Sequence, residues 1–469
     1  IFLKPFIHLF ETPKNYYFYD VNRNENIQVS KEVYKYLEKM LNDELNENNR
    51  DLDIEKQIQN LRQNGYLSDN RVKEIKHPAT NLLPYYLNRK LQLLTIQLTH
   101  ACNLRCSYCP YTSNDGTYRL HENKRINLET IKKALLMLRD NSVDSEDITV
   151  GFYGGEPLLE FELIEETVRY CKKIFVGKEV SYTITTNGTL ISDEVLELFE
   201  KENFQVVISL DGPREINDKN RKFANSNKSV FDKVIKNIIY IKENYKTLFN
   251  RISINMVIDP TQDFNKYKLL FEEYPILNNI NTSISLVEDD YKTEKYLPTE
   301  EFRNDFNYIK FLSYLHYLGE INLNDEHFYI NLFYESMNKM WEEMTSSDTL
   351  GSIHCPSGPC VPGKTRLMVS VDGLLFPCER ISENIPFHCI GSLKDGFSIE
   401  NTEKIMNIAK TVIEDCKNCF AFRHCTLCVK AHESKTINED SIKDKCRGVR
   451  YDFHNELIGR EILNEITMN

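Results

Sequence analysis

Apolar and polar positions alternate in short runs at the start of the chain, over residues 1–85. Because successive side chains of a strand point to opposite faces, such alternation predicts short strands. The predicted strands are 5–10, 16–21 and 27–29. Ser30 then caps a predicted helix in which Val33, Leu37 and Leu41 recur at helical spacing. The pattern predicts a small winged-helix-like unit, with three strands followed by helices.

The middle of the chain, residues 91–290, has a different rhythm, in which short apolar runs alternate with amphipathic stretches. This order is typical of a parallel β/α architecture. Strands are predicted at 92–99, 147–153, 180–186, 204–210, 252–259 and 281–287. Helices are predicted at 128–140, 159–175, 192–202 and 228–245. Six strands are too few for a closed eight-stranded barrel, so the pattern predicts an α/β fold with a partial, TIM-like (β/α)6 barrel.

Three further segments follow the predicted barrel. Residues 291–350 have helical periodicity, and we expect them to bridge the barrel to the next domain. Residues 351–450 are rich in cysteine and punctuated by glycine, so we expect this segment to have too little core to fold without metal. Residues 451–469 are predicted to form a C-terminal helix.

The composition of the chain excludes several classes of function but says less about the fold. The chain has 469 residues, of which 41% are hydrophobic, and this is enough for several packed domains. Its net charge of −12 argues against a nucleic-acid partner, and no apolar run is long enough to predict a membrane helix. Thirteen cysteines without an export signal indicate reduced thiols in the cytoplasm, and their uneven distribution indicates metal-binding regions.

Three of the cysteines, Cys102, Cys106 and Cys109, lie in one CxxxCxxC segment, which we name the cysteine loop (102–109). A cubic iron–sulfur cluster has four iron corners, so three thiolates leave one iron open to a small molecule. Tyr108 places an aromatic ring directly before the third cysteine. A zinc site with a distant fourth ligand is the alternative that the spacing leaves open.

Polar or glycine-rich residues also follow the ends of the predicted barrel strands. They are Gly154, Gly155, Glu156, Asn187, Ser209, Asp211 and Arg221. Because functional residues gather at the carboxyl ends of parallel strands, we expect these residues to meet at one rim. The glycines would let backbone approach a ligand, and the glutamate would accept from a ligand ammonium group. The asparagine, serine and aspartate would bind ribose hydroxyls, and the arginine would pair with a carboxylate.

The cysteine loop followed by the patterns GGEP, TNGT and SLDG resembles the radical S-adenosylmethionine (SAM) superfamily. The resemblance implies that Cys102, Cys106 and Cys109 hold a [4Fe–4S] cluster whose open iron chelates SAM, while Tyr108 lies beside the adenine. It also implies reductive cleavage of SAM to methionine and a 5′-deoxyadenosyl radical. The electron would come from a donor such as flavodoxin or ferredoxin.

The late cysteines resemble the SPASM extension of radical SAM enzymes that modify peptides, which holds two auxiliary [4Fe–4S] clusters. By that resemblance, the first auxiliary group would be Cys355, Cys360, Cys378 and Cys428. The second auxiliary group would be Cys416, Cys419, Cys425 and Cys446. A pair of zinc sites is the alternative, since four thiolates also suit zinc.

Glu379 directly follows Cys378. In the sulfatase-activating relatives of these enzymes, an acidic residue at the matching position serves as a base near the substrate. The resemblance therefore implies a catalytic role for Glu379, and a solvated surface carboxylate is the alternative.

The segment 1–85 resembles the recognition element of enzymes that modify ribosomally made peptides, where a leader peptide adds as a strand to a sheet edge. The third strand, around Ile27 to Val29, would be the docking edge. We expect removal of this segment to spare SAM cleavage. Together with the barrel and the SPASM region, it makes the chain resemble maturases of ribosomally synthesised peptides. The runs 108–111 and 117–119 resemble the thioether-forming sactipeptide and ranthipeptide group.

The predicted reaction removes a hydrogen atom from a precursor-peptide residue and joins a cysteine sulfur to that carbon. Relatives instead form carbon–carbon crosslinks, or oxidise a Cys or Ser to formylglycine, although the front element disfavours formylglycine formation. The non-enzymatic alternative is a multi-cluster electron carrier or a zinc-stabilised regulator. The GGEP and SLDG patterns disfavour it, because a carrier has no use for a SAM pocket.

Overall fold

The computed structural model describes residues 4–45, 51–112, 119–288, 295–321, 328–347, 349–431 and 439–467. An N-terminal unit, residues 4–75, begins with three antiparallel strands, β1 (Ile7–Glu11), β2 (Tyr16–Asp20) and β3 (Glu25–Val29), paired in that order. Helices α1 (Lys31–Leu41) and α2 (Leu52–Gln63) follow, and β4 (Glu74–Ile75) ends the unit. The predicted cap is confirmed, since the Ser30 hydroxyl accepts from the Val33 amide at 3.3 Å.

The central strand of the N-terminal sheet, β2, is buried on both faces. Phe18 of β2 packs in one apolar cluster with residues of α1. Its neighbours Tyr17 and Tyr19 point the other way and pack in a second cluster, which includes Trp341 and Phe453 from far along the chain. The N-terminal unit therefore shares a core with the C-terminal part of the protein.

A six-stranded parallel sheet follows helix α3 (Leu83–Arg89) at the place of the predicted partial barrel, and it keeps the name barrel below. Its strands are β5 (Leu93–Thr99), β6 (Asp147–Gly154), β7 (Glu179–Thr186), β8 (Gln205–Ser209), β9 (Ile252–Ile258) and β10 (Asn281–Leu286). Its helices are α4 (Leu128–Asp140), α5 (Phe161–Ile174), α6 (Asp193–Lys201), α7 (Arg214–Asn220), α8 (Val230–Asn244), α9 (Lys246–Phe249) and α10 (Asn265–Glu273). The six predicted strands and four predicted helices are confirmed, with ends that differ by at most two residues.

Each barrel strand pairs in parallel with the next, in the order β10-β9-β8-β7-β6-β5. All six carboxyl ends therefore lie at the same edge of the sheet. Ile96, Val150 and Ile254 are fully buried and pack in one apolar cluster with buried residues of the barrel helices. This edge is the rim at which the sequence places its polar residues.

The cysteine-rich region extends the barrel sheet instead of standing apart from it. After α11 (Glu300–Tyr317) and α12 (Phe328–Glu343) come the strands β11 (Ile353–His354), β12 (Leu367–Val369), β13 (Leu374–Phe376), β14 (Gly391–Ser392) and β15 (Gly396–Phe397). Strand β12 pairs in parallel with β5, and β13, β14 and β15 continue the sheet antiparallel. Leu367, Met368 and Phe376 are fully buried in the barrel core. The prediction that this region has too little core is therefore wrong for these strands.

Helices α13 (Ile399–Met406), α14 (Ile413–Lys417) and α15 (Glu439–Thr467) complete the fold. The terminal helix begins at Glu439, not at 451, so Cys446 lies on it. Its first turns are mostly charged, and for that reason the apolar pattern did not indicate its start. Among the described helices, none combines the length and the apolar character that a membrane span requires.

Candidate functional site

The carboxyl ends of four neighbouring strands bring most of the predicted rim residues together. The cysteine loop follows β5, the turn 154–156 ends β6, Asn187 follows β7 and Asp211 follows β8. Hydrogen bonds join these four segments directly. The rim predicted from the strand order is therefore present in the folded chain.

The cysteine loop holds its three thiols close to one another. Burial raises the pKa of the Cys102 thiol to about 11 and that of the Cys106 thiol to about 12, and the Cys109 thiol adds to both increases. The Leu104 amide donates to Cys102 Sγ at 3.3 Å, and the nearby Arg221 guanidinium opposes the increase at Cys106. Buried thiolates need positive partners, and the iron of a bound cluster would supply one beside Arg221.

Asn187 connects the end of β7 to the cysteine loop. Its Nδ2 donates to Asn103 Oδ1 at 2.8 Å and lies 3.8 Å from Cys102 Sγ. Its Oδ1 accepts from the amide and the hydroxyl of Thr189, at 3.0 and 2.6 Å. The side chain thus helps to position the first cysteine, and the predicted contact with a ligand hydroxyl stays a prediction.

Glu156, predicted to accept from a ligand ammonium group, is fully buried and bound within the protein. Its Oε1 accepts from Thr186 Oγ1 at 2.7 Å and from the Leu158 amide at 3.0 Å. Its Oε2 accepts from the Asn187 amide at 2.7 Å. Burial raises the pKa of Glu156, and these donors oppose the increase. The carboxylate therefore joins the end of β6 to the end of β7.

Gly154 and Gly155 permit a close approach to the protein's own backbone, which corrects the expected approach to a ligand. A Cβ added at Gly154 would lie 2.4 Å from the Thr99 carbonyl oxygen, and one at Gly155 would lie 2.2 Å from that of Ala101. The Gly155 amide donates to the Thr99 carbonyl at 2.8 Å. The two glycines therefore pack the end of β6 against the start of the cysteine loop.

Tyr108, Asp211 and Arg221 form a polar cluster next to the thiols. The Tyr108 hydroxyl donates to Asp211 Oδ2 and accepts from Arg221 Nη1 at 2.7 Å. Burial acts to lower the pKa of Arg221, but Tyr108, Cys106 and Asp211 outweigh burial and raise it. The arginine is therefore a fixed, buried cation at the rim. Ser209, two residues before Asp211, is half-buried at the end of β8.

The four thiols of the second auxiliary group lie together. Burial raises the pKa of the Cys416 thiol to about 12, and the thiols of Cys446, Cys425 and Cys419 add to the increase. Cys416 lies on α14 and Cys446 on α15, so the group joins two helices that are distant in sequence. Cys416, Cys425 and Cys446 line one apolar pocket, which Cys428 also borders.

Three thiols of the first auxiliary group, Cys360, Cys378 and Cys428, also lie close together. Burial raises the pKa of the Cys378 thiol to about 11, and Glu379, Cys360 and Cys428 add to the increase. Gly358 makes this approach possible, because a Cβ there would lie 2.0 Å from the Leu427 carbonyl oxygen.

Cys355, the fourth predicted ligand of that group, has a different environment. Its thiol is buried in the apolar cluster shared with the N-terminal unit, where Ala421 and Phe422 also pack. Burial by itself accounts for its raised pKa of about 11. The structure therefore brings together three of the four predicted ligands, and Cys355 stays a prediction.

Glu379 lies at the junction of the barrel and the cysteine-rich region. Its Oε1 accepts from Arg366 Nη1 at 2.7 Å, and its side chain is 21% exposed. Its charge contributes to the raised pKa values of the Cys378 thiol and of Tyr153 at the end of β6, both raised chiefly by burial. The carboxylate is thus between the barrel rim and the first auxiliary group, and it is not a freely solvated group.

Sequence reasoning missed a buried ion pair in the same place, between Arg119 and Glu383. Arg119 Nε lies 2.6 Å from Glu383 Oε1, and their side chains are 3% and 9% exposed. Gln97 Nε2 donates to Glu383 Oε1 at 2.7 Å and to the Tyr111 hydroxyl at 2.9 Å. Arg119 ends the run 117–119 that resembles the thioether-forming group, but nothing in that run indicates a partner, and Glu383 belongs to no motif. Residues 117 and 118 of the thioether-type run lie outside the described residues.

The sulfur donors at the rim and in the second auxiliary group fit the iron–sulfur clusters that the resemblance implies. The rim offers three partly or fully buried thiols, and the second auxiliary group offers four. Within the part of the chain that the structure describes, no three His, Cys, Asp or Glu side chains come close enough to coordinate a single metal ion.

Comparison with known proteins places this geometry in context. Residues 96–272 match the model of the Radical SAM superfamily. The chain is 28% identical over 371 residues to a protein of Clostridium novyi (strain NT) named cysteine-type anaerobic sulfatase-maturating enzyme, and the match covers 72% of this chain and 87% of that protein. It is 25% identical over 443 residues to the radical SAM cyclopropyl synthase TigE of Paramaledivibacter caminithermalis, covering 88% of this chain and 85% of TigE.

Among solved structures, native anSMEcpe with bound AdoMet and Kp18Cys peptide has a similar fold. The two superpose with a TM-score of 0.57 at 21% identity, covering 80% of this chain and 99% of that chain. At this level of identity the likeness concerns the fold, and activity has to be argued from the site.

Proposed function

We propose that the chain is a radical SAM enzyme that modifies a ribosomally made precursor peptide, joining a cysteine sulfur to a carbon of another residue. The match of residues 96–272 to the Radical SAM superfamily model and the similarity to anaerobic sulfatase-maturating enzymes support this proposal. The observation that carries the radical chemistry is the convergence of the cysteine loop with Asn187, Asp211 and Arg221 at one rim. A relative whose name describes the maturation of a sulfatase supports a polypeptide substrate.

The radical SAM fold binds SAM and a [4Fe–4S] cluster, and Cys102, Cys106 and Cys109 would hold that cluster here. When bound, the cluster supplies the electron for reductive cleavage of SAM, after transfer from a donor of the flavodoxin or ferredoxin type. The chain's own residues orient the site. Asn187 helps to fix the first cysteine, and Arg221 presents a buried cation that would pair with the SAM carboxylate.

Two auxiliary [4Fe–4S] clusters would be further redox centres of the protein. Cys416, Cys419, Cys425 and Cys446 would hold the second, and the close approach of these four thiols supports this assignment. Cys360, Cys378 and Cys428 would hold the first, with Cys355 as the fourth ligand. Glu379 would accept the proton that the substrate releases, and its position between the rim and Cys378 supports this role.

The leader of the precursor peptide would add to the N-terminal sheet along β3. Strand β3 is an outer strand of that sheet. Helix α15 contacts the sheet through side chains of β3 as well as β1, and Asn26 Nδ2 of β3 donates to Glu461 at 2.7 Å. His8 Nε2 lies 2.9 Å from His454 Nδ1, and Thr12 Oγ1 donates to Glu465 at 2.6 Å. The backbone of an outer strand offers unpaired groups to an incoming strand, which supports docking at β3.

Hydrogen exchange tests this docking. We expect a leader peptide encoded beside this chain to slow amide exchange in β3, Glu25–Val29, because β-addition engages backbone groups along the strand. Exchange would be compared with and without leader, and with a leader of scrambled sequence as the control. Slower exchange elsewhere, with β3 unchanged, would move the leader site to another surface.

The function itself is tested with a small cysteine-containing peptide encoded beside this chain. The two would be co-expressed without oxygen, and the mass of the peptide would be taken before and after thiol alkylation. We expect the loss of two hydrogens per link, with the linked cysteines no longer alkylated. Co-expression with Cys102→Ala, which removes one thiolate of the cysteine loop, is expected to leave the peptide unchanged.

Other results would favour other reactions. The same mass loss with every cysteine still alkylated would indicate a carbon–carbon link, as the resemblance to a cyclopropyl synthase suggests. Conversion of a peptide cysteine to an aldehyde that reacts with a hydrazide would indicate formylglycine formation. This second candidate is favoured by the relatives named sulfatase-maturating enzymes.

A further inference from the structure

The buried ion pair between Arg119 and Glu383 joins two parts of the chain that both carry predicted catalytic groups. Arg119 follows the cysteine loop of the barrel, and Glu383 follows Cys378 and Glu379 in the cysteine-rich region. Burial acts to raise the pKa of Glu383, but Arg119, assisted by His100 and Gln97, outweighs burial and lowers it. A buried carboxylate that stays charged needs such a partner, so removal of Arg119 would leave an uncompensated charge between the two parts.

Arg119 also holds the backbone that carries Glu379. Its Nη2 donates to the Glu379 carbonyl at 2.9 Å and to the Ile381 carbonyl at 2.8 Å. The planar guanidinium therefore binds the segment 379–383 through the carbonyls of Glu379 and Ile381 and the carboxylate of Glu383. A lysine at this position has a single charged nitrogen and cannot reproduce this fork.

The other side of the guanidinium faces the barrel rim. Its centre lies 5.3 Å from the Tyr111 ring and 5.9 Å from the Tyr153 ring. Tyr111 stands two residues after Cys109, and Tyr153 immediately precedes Gly154. The same side chain thus contacts the residues directly after the cysteine loop, the end of β6 and the segment that follows Cys378.

We propose that Arg119, together with Glu383, is a positioning residue that sets the place of the segment Cys378–Glu383 relative to the cysteine loop. This proposal rests on the proposed function, because the segment matters only if Glu379 acts on the substrate. The consequence is that the pair controls coupling, which is the number of modified peptides formed per SAM cleaved. A reactive intermediate formed beside a misplaced partner group is quenched without product.

The test uses the full-length, cluster-loaded protein and compares Arg119→Lys with the wild type. We expect iron content and the rate of 5′-deoxyadenosine formation to stay within about twofold, while modified peptide per deoxyadenosine falls about tenfold or more. The matched control is Lys124→Gln. The Lys124 side chain pairs with Asp372 and joins the same two parts of the chain, but that ion pair is exposed. We expect this variant to keep the wild-type ratio.

An unchanged ratio in Arg119→Lys would overturn the proposal, as would a loss of deoxyadenosine in proportion to a loss of iron. If Arg119→Lys does not fold, Glu383→Gln decides, because it keeps the side-chain shape and removes the ion pair. Its ratio must also fall. If the wild type leaves the peptide unchanged, the proposed function fails. Faster amide exchange at 380–383 in Arg119→Lys, with the rest of the protein unchanged, would then still support positioning, and unchanged exchange would refute it.

Discussion

At the scale of single residues, the motif side chains near the cysteine loop are bound mainly to one another. The Glu156 carboxylate accepts hydrogen bonds from Thr186, Leu158 and Asn187. The Asn187 side chain in turn contacts Asn103 and Cys102 Sγ. Buried polar groups without partners cost about 1–3 kcal/mol each, so such a network fixes the loop in one arrangement. The residues that the sequence offers as ligand contacts therefore also build the site.

Gly155 gives a prediction at this scale. We expect Gly155→Ala to lower the free energy of unfolding by about 1–3 kcal/mol, because its Cβ would lie 2.2 Å from the Ala101 carbonyl oxygen. The carbonyl must move, and the cysteine loop moves with it, so iron content should also fall. Denaturant unfolding and iron analysis measure both effects.

Gly448 offers the matched control for that prediction. It lies inside α15 with open space around the position of a Cβ, so Gly448→Ala should raise the stability by up to about 1 kcal/mol. Equal effects of the two substitutions would mean that the close approach at Gly155 is not what limits this position.

At the scale of elements, the short segment between Cys419 and Cys425 is the surface on which the N-terminal sheet rests. Phe420 stacks on His8 with ring centroids 3.6 Å apart, and His424 Nε2 lies 2.8 Å from Asn24 Oδ1. Arg423 donates to the Val21 and Asn22 carbonyls at 2.7 and 2.9 Å. Two ligands of the predicted second auxiliary cluster thus bracket the contacts to the N-terminal unit.

Replacement of Arg423 should loosen this contact. We expect Arg423→Lys to speed amide exchange in the hairpin between β2 and β3, because a lysine cannot donate to both carbonyls in the fork geometry. The loss is expected to be about 1–3 kcal/mol of local stability. Arg169→Lys, on an exposed arginine of α5, is the control. Unchanged exchange in the hairpin would show that the sheet is held without the Arg423 hydrogen bonds.

At the scale of the whole molecule, a shared apolar cluster limits how independently the N-terminal unit can fold. The sequence predicts separate domains, and by that reasoning removal of residues 1–85 leaves the barrel intact. In the structure, however, Phe10 and Tyr19 of the N-terminal unit pack in one cluster with Trp341, Phe453 and Leu457. The domain boundary predicted from the apolar pattern therefore divides a continuous apolar cluster.

We accordingly expect a chain that lacks residues 1–75 to be unstable. Each large apolar side chain that becomes exposed costs roughly 1.5–3 kcal/mol, and several become exposed at once. The measurement is the thermal midpoint and the soluble yield of the truncated protein. Leu52→Asp, at an exposed position of α2, is the control and should change neither. A truncated chain with the wild-type midpoint would restore the view of an independent front domain.

The sequence by itself determined the local structure and the chemistry-bearing spacings. The periods of apolar residues gave the six barrel strands, and the Ser30 cap and the order of the rim motifs followed from neighbouring residues alone. Such features depend on interactions within a few positions along the chain, and a pattern of side chains records them directly.

Only the tertiary structure decided how distant segments meet. It placed β12 beside β5 and buried Arg119 against Glu383. It also packed Gly154 and Gly155 against the backbone of Thr99 and Ala101, and it placed Cys355 in an apolar cluster. Burial and ion pairing between distant residues depend on the whole packed arrangement, and no local period encodes them. For this reason, the cysteine spacings could be read from the chain, whereas the pair that joins the barrel to the cysteine-rich region could not.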